Sequence, residues 1–180
     1  MASLDIQVLG GLSLRRDGEP VPLPASRKTR ALLAYLVVTT RPHRRDRLCE
    51  LLWEIPDDPR AALRWSLSKL RSIVNDPEFD RIVADRERAE FAPHAADVDL
   101  HKIRDLLTSE DASEDVTRLY SLEEALREPL LDGVDLPEQP EFQQWLEAER
   151  ALTRRLRAQA AALLSQHDQT PADQALDFAE

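Results

Sequence analysis

The chain has 180 residues, of which 42% are apolar and 32% are charged, and its formal net charge is −10. This length and apolar share predict a buried core in one domain or two small ones, and exclude wholesale disorder. The four glycines lack phosphate-loop spacing, and the single cysteine and four scattered histidines predict neither an internal disulfide nor a metal site. We therefore expect no cofactor and no enzymatic activity.

The start of the chain lacks a basic stretch followed by a long apolar run, so no signal peptide is predicted. No window approaches the roughly 18 consecutive apolar residues of a membrane-spanning helix. We expect a cytoplasmic protein without a membrane partner.

Alternating apolar and polar residues predict a small sheet at the N-terminus. The alternation covers residues 4–15 and is broken by the glycine pair at 10–11, which predicts two strands. The Asp-Gly dipeptide at 17–18 is typical of a hairpin turn, and residues 21–23 predict a short third strand at a sheet edge.

Three amphipathic segments predict three helices. The first spans residues 26–38, with Ser26 as its N-cap, and the second spans residues 43–53. The third spans residues 58–74, with Asp58 as its N-cap. Its apolar residues recur at steps of four, three and four, which predicts one buried face: Leu63, Leu67, Leu70 and Val74.

The next segment, residues 81–93, predicts a hairpin whose charged tip spans residues 85–88 and lacks the glycine usual in such turns. The second half changes character. Residues 97–107, 114–127 and 141–165 predict helices, with a proline-rich connection before the last of them. Residues 171–180 begin another helix that stops mid-pattern, so we expect the chain to be a fragment of a longer protein.

Charge is distributed unevenly along the chain. Residues 1–90 hold 16 basic and 14 acidic residues, whereas residues 91–180 hold 8 basic and 20 acidic residues. The basic residues of the first half concentrate in two segments. In the first, a single acid, Asp46, opposes seven basic residues: Arg27, Lys28, Arg30, Arg41, Arg44, Arg45 and Arg47. The second has no acid: Arg60, Arg64, Lys69 and Arg71. Local basic patches of this kind favour nucleic-acid binding despite the negative total.

The order of strands, two helices, a basic amphipathic helix and a hairpin predicts a winged helix-turn-helix. A major groove about 12 Å wide admits one helix, which must bury one face and offer hydrogen-bond donors on the other. The predicted DNA-contacting residues of helix 58–74 are Arg60, Arg64, Trp65, Ser68, Lys69, Arg71 and Ser72. The predicted contacts to the DNA backbone, including those of the hairpin or wing, are Ser26, Arg27, Lys28, Arg44, Arg45, Arg86 and Arg88.

Several of these residues have a second interpretation. Trp65 stacks, contacts a thymine methyl or fills the domain surface. Arg86 and Arg88 alternate with acids, so a solvated turn explains them equally well. A further basic stripe on helix 141–165, formed by Arg150, Arg154, Arg155 and Arg157, is expected to pair with Glu147 and Glu149 rather than to bind DNA.

Segments covering nearly the whole chain are similar to a known family. The DNA-binding domain of the Streptomyces antibiotic regulatory protein family resembles IQVLGGLSLRRDGEPVPLPASRKTRALLAYLVV, RDRLCELLW and AALRWSLSKLRSIV. The bacterial transcriptional activator domain of the same family resembles ADVDLHKIRDLL and LREPLLDGVDLPEQPEFQQWLEAERALTRRL.

The resemblance implies an α+β fold in two parts. Residues 1–94 would form an OmpR-like winged helix-turn-helix with a small N-terminal antiparallel sheet, three helices and a C-terminal hairpin. Residues 95–180 would form an all-α domain similar to tetratricopeptide repeats. The implied function is a transcriptional activator that binds direct repeats in double-stranded DNA near promoters, as a homodimer on tandem repeats, and contacts RNA polymerase.

The acidity of the second half leaves an alternative open. The chain could instead be a protein-interaction module at the head of a larger protein, with weak or lost DNA binding. Salt-sensitive binding to DNA distinguishes the two hypotheses.

Overall fold

The structure, a computed structural model, describes residues 3–53, 58–109, 115–167 and 170. Within these residues it contains seven strands and six helices. In chain order they are β1 Leu4–Gln7, β2 Ser13–Arg16, β3 Glu19–Pro20, α1 Arg27–Thr39, β4 His43–Arg44, α2 Arg45–Leu52, α3 Pro59–Val74, β5 Ile82–Ala84, β6 Arg88–Phe91, β7 Ala96–Val98, α4 Asp99–Thr108, α5 Val116–Ala125 and α6 Pro140–Gln166.

The N-terminal strands form a four-stranded sheet in the order β3-β2-β1-β7. The predicted turn at 17–18 is confirmed: both residues have positive φ, 52° and 83°, as a two-residue type I′ hairpin requires. The third strand was predicted at 21–23 but lies at Glu19–Pro20. A two-residue turn places Glu19 directly opposite Arg16, so β3 pairs with β2 from the first residue after the turn.

The sheet is not wholly antiparallel, because β7 pairs in parallel with β1. The sequence analysis missed this three-residue strand, which is too short for a visible alternation. Residues beyond 94 therefore contribute a strand as well as helices, and the division of the chain at residue 94 stays a prediction.

The first and third predicted helices are confirmed together with their caps. Ser26 Oγ accepts a hydrogen bond from the Thr29 N–H, and the Asp58 carboxylate accepts one from the Ala61 N–H. The second helix begins at Arg45 rather than at residue 43. The two preceding residues form β4 instead, because they pair with β6 and complete a second sheet in the order β4-β6-β5.

The second half is helical after β7, close to the predicted ranges. The helix expected over 171–180 lies outside the described residues. Among the helices that the structure describes, none has the length and apolarity needed to cross a membrane.

Hydrogen bonds and a contact between aromatic rings join this helical part to the first half. The Asp99 carboxylate, at the start of α4, accepts from the N–H groups of Val8 and Leu9, each at 3.0 Å. The Trp145 ring of α6 meets the Tyr35 ring of α1 edge-on at 4.7 Å between centroids. The buried apolar side chains form one cluster with members from both halves.

One buried histidine lies in β4, just after α1. His43 Nε2 and Thr39 Oγ1 are 2.7 Å apart, and Thr39 Oγ1 donates its own hydrogen to the carbonyl of Tyr35. The ring nitrogen is therefore the donor in its bond to Thr39, which fixes the neutral tautomer with hydrogen on Nε2. Burial, with a smaller effect of the nearby Arg41 charge, lowers the pKa of His43 to about 4.

This histidine makes stability depend on pH. An unfolded His43 takes up a proton near pH 6.5, whereas the folded ring stays neutral until about pH 4. The free energy of unfolding is therefore highest above pH 6.5 and decreases as the pH falls towards 4. We expect His43 to contribute about 2 kcal/mol to this decrease. Urea denaturation across this pH range measures it. His43→Gln keeps a donor for Thr39 but does not titrate, so its curve should be flatter; parallel curves would contradict the assignment.

Candidate nucleic-acid interface

Helix α3 buries one face and exposes the predicted DNA-contacting face. Its apolar side is buried as predicted, at Leu63, Leu67, Leu70 and Val74. A buried hydrogen bond of 2.9 Å between the Thr29 and Ser66 hydroxyls fixes α3 against α1. All seven residues predicted to contact DNA are exposed: Arg60, Arg64, Trp65, Ser68, Lys69, Arg71 and Ser72.

The exposed residues differ in how far they are already engaged. Arg60 forms an ion pair of 3.1 Å with Asp46, and both side chains are largely exposed. Ser72 Oγ donates to the carbonyl of Lys69 within the helix. Arg64 makes no side-chain hydrogen bond or ion pair with any other described residue. It is therefore the charged group of this face most available to a ligand.

The predicted hairpin is confirmed, and its turn explains the missing glycine. At the tip, the Asp85 carboxylate accepts from the N–H groups of Glu87 and Arg88, each at 2.7 Å. These two bonds hold the pKa of Asp85 below its usual value. A side chain that satisfies the turn amides in this way removes the need for glycine.

Arg71 holds the hairpin beside α3. Its guanidinium donates to the carbonyl of Ile82 at 3.3 Å and to that of Ala84 at 3.4 Å. These contacts give Arg71 a positioning role within the protein, and its predicted contact with DNA stays a prediction.

A second arginine, missed by the sequence analysis, strengthens the same junction. Arg81 is fully buried, and its Nη1 donates to the carbonyl of Val74 at 2.8 Å and to the Asp76 carboxylate at 2.5 Å. The Asn75 side-chain oxygen accepts from the backbone N–H groups of Arg81 and Ile82. Nothing in the sequence distinguishes this arginine from a surface charge.

Between the N-terminal ends of α2 and α3 and the hairpin tip lies a groove of about 1030 Å³, which we call the arginine groove. Six arginines and three acids line it: Arg44, Arg45, Arg60, Arg64, Arg86 and Arg88, with Asp46, Asp85 and Glu87. The lining therefore carries a formal charge of +3. A groove with such a charge attracts anions.

Much of the positive charge in the arginine groove is uncompensated. Arg44 and Arg88 lie directly opposite each other across β4 and β6, an arrangement of like charges that is unfavourable without an anion. In the part of the chain that the structure describes, no side-chain hydrogen bond or ion pair engages either of them, or Arg64 or Arg86. Arg45 differs, because it donates to the carbonyl of Asp85.

The three residues predicted near the start of α1 are not part of this lining. Ser26 caps the helix. Arg27 donates to the carbonyl of Asp135, in the connection before α6, at 2.5 Å. Lys28 lies one residue further along α1, also outside the groove. The structure therefore does not bring Ser26, Arg27 or Lys28 together with the other predicted backbone contacts.

The basic stripe of α6 is partly neutralised, as expected. Arg150 pairs with Glu147 at 3.0 Å and with Asp135 at 2.9 Å. Glu149, however, pairs with Arg104 of α4, because that helix packs alongside α6. Arg154 and Arg155 remain exposed.

Comparison with known proteins supports the fold. No family model matches this chain, and no curated protein sequence matches it. Among solved structures it is similar to Mycobacterium tuberculosis EmbR in complex with a low affinity phosphopeptide, with 26% sequence identity and a TM-score of 0.58 over 91% of this chain. The match covers 46% of the EmbR chain, so this chain spans less than half the length of EmbR. The likeness supports a fold of the Streptomyces antibiotic regulatory protein type.

Removing the Arg71 donors should loosen the hairpin without unfolding the core. In Arg71→Met, the carbonyls of Ile82 and Ala84 lose the guanidinium as a hydrogen-bond donor. The hairpin should be destabilised by about 1 kcal/mol, which accelerates the exchange of its amide hydrogens about fivefold. Hydrogen–deuterium exchange over residues 82–91 measures the effect. Lys69→Met, on the same helix, is the matched control; equal exchange in both variants would contradict the role assigned to Arg71.

Proposed function

We propose that this chain is a sequence-specific, DNA-binding transcriptional regulator. The observation that carries the proposal is the continuity of two surfaces: the acid-free exposed face of α3 and the arginine groove share Arg60 and Arg64. The structural likeness to EmbR supports a regulator of the Streptomyces antibiotic regulatory protein type.

In this proposal α3 enters the major groove of duplex DNA. Its buried apolar face packs on the domain, and its exposed face presents Arg64 and Lys69 towards base edges. Arginine and lysine donate to guanine O6 and N7. Ser68 and Ser72 would donate to bases or phosphates at the borders of this face. The residues within hydrogen-bonding reach of bases carry specificity, whereas the others position the helix.

The arginine groove would receive the sugar-phosphate backbone beside α3. Arg44, Arg86 and Arg88 reach it from β4 and from the hairpin tip. A phosphate placed between Arg44 and Arg88 would relieve their mutual repulsion, and its charge-assisted hydrogen bonds are stronger than neutral ones. The hairpin therefore acts as the wing.

Further partners follow from the family resemblance and belong to the same proposal. The acidic second half would dock on RNA polymerase, and two copies would occupy direct repeats as a homodimer. Activation, rather than repression, is the expected outcome.

A second candidate function has its own support. Residues 91–180 carry 20 acids against 8 basic residues, a composition that favours protein contacts over DNA contacts. The solved structure of EmbR, of which this chain spans less than half, contains a low affinity phosphopeptide. The chain would then be an interaction module of a larger protein whose winged helix no longer binds DNA.

Removal of a phosphate-binding side chain should reduce the salt dependence of binding. In Arg88→Ala, the slope of log affinity against log salt should become shallower by about 0.9, the contribution of one phosphate. Fluorescence anisotropy with a duplex selected from a randomised pool measures the slope. Arg155→Ala, which removes the same charge from an exposed position on α6, is the matched control. Equal slopes in the two variants would contradict the role of the wing.

Removal of base-reading side chains should reduce specificity. The double variant of Arg64→Ala and Lys69→Ala should weaken binding to the selected duplex by about 1–3 kcal/mol for each side chain that reads a base. Its affinity for a scrambled duplex should fall less. A selected-to-scrambled affinity ratio equal to that of the wild type would show that α3 does not recognise the sequence.

A further inference from the structure

The exposed face of α3 carries one large apolar side chain. Trp65 is 52% exposed, which is the largest exposed fraction among the exposed large apolar residues of the described chain. It therefore does not fill the core of the domain. An indole at such a position on a polar face is typical of a contact with a partner.

Its surroundings point to a polyanion as that partner. Lys69 Nζ lies 5.7 Å from the centroid of the Trp65 ring, within the range of a cation–π interaction. Arg64 precedes the indole in the sequence and is exposed beside it. Helix α3 contains no acid, and its basic side chains donate hydrogen bonds. These donors complement phosphates and guanine edges.

The chemistry of the major groove limits what the indole can touch. In an intact duplex the bases are stacked, so their faces are covered and a side chain of a helix in the groove meets only their edges. Those edges present hydrogen-bond donors and acceptors, together with one apolar group, the C5-methyl of thymine. An indole stacking on a base face would require the base to leave the stack, which is costly.

From these observations we infer that Trp65 is a specificity-determining residue that recognises thymine by packing its indole on the C5-methyl group. The inference rests on the proposed function, in which α3 lies in the major groove. The ammonium group of Lys69 lies over one face of the ring and so limits where the indole can turn. Each bound chain thus requires a thymine at one position of its site.

Deoxyuridine tests this directly, since it differs from thymidine only by the missing methyl group. The full chain first selects duplexes from a randomised pool. Each thymine of the selected site is then replaced singly by deoxyuridine, and anisotropy gives the affinity. We expect one position per bound chain at which the replacement weakens binding by about fourfold, the contribution of one buried methyl group.

The variants assign that effect to the indole. In Trp65→Ala the same replacement should leave affinity unchanged, whereas Trp65→Phe, which keeps an aromatic surface, should retain part of the sensitivity. Thermal melting of both variants checks the fold, which should be unchanged because Trp65 is half exposed.

The outcomes separate the two proposals. A preferred duplex whose affinity is the same with thymine and with deoxyuridine at every position would overturn the inference about Trp65 and leave the DNA-binding function standing. So would a deoxyuridine effect of equal size in the wild type and in Trp65→Ala. A pool that yields no preferred duplex would overturn both.

Discussion

The relative position of helix α3 and the hairpin depends on one buried guanidinium. Arg81 has no exposed surface, and it bridges the last carbonyl of α3 and the carboxylate of Asp76. A buried cation is costly unless an anion and hydrogen bonds compensate for its lost hydration. Moving the end of α3 away from the start of β5 would break these two bonds and leave the buried charge without them. Arg71 adds two bonds to the hairpin from α3. These contacts therefore join the proposed recognition helix and wing into one surface.

That surface concentrates positive charge because many acids of the chain are engaged elsewhere. In the second half, Asp135 pairs with Arg150, whose hydrogen bond lowers the pKa of Asp135 to about 2, and buried Glu123 pairs with two arginines. Acids of the second half thus neutralise arginines of the same half. The arginine groove keeps its charge and is available to a polyanion.

Much of the fold follows from sequence, because the long amphipathic helices and the Asp-Gly turn have strong local signals. The short strands β4 and β7 do not: each acquires its conformation from a partner strand far along the chain. The exposed face of α3 follows from the same periodicity as its buried face. The role of Arg71 and the burial of Arg81 could not be predicted, since an arginine that positions a hairpin has the same sequence signal as one that faces solvent.

The proposed function depends on the binding of duplex DNA by the α3 face and the arginine groove. The most direct measurement is a fluorescence-anisotropy titration of the full chain with a duplex selected from a randomised pool, beside a scrambled duplex of equal length, at several salt concentrations. The proposed function predicts tight binding to the selected duplex alone, with an affinity that falls steeply as salt rises. Equal, weak and salt-insensitive binding to both duplexes would contradict it.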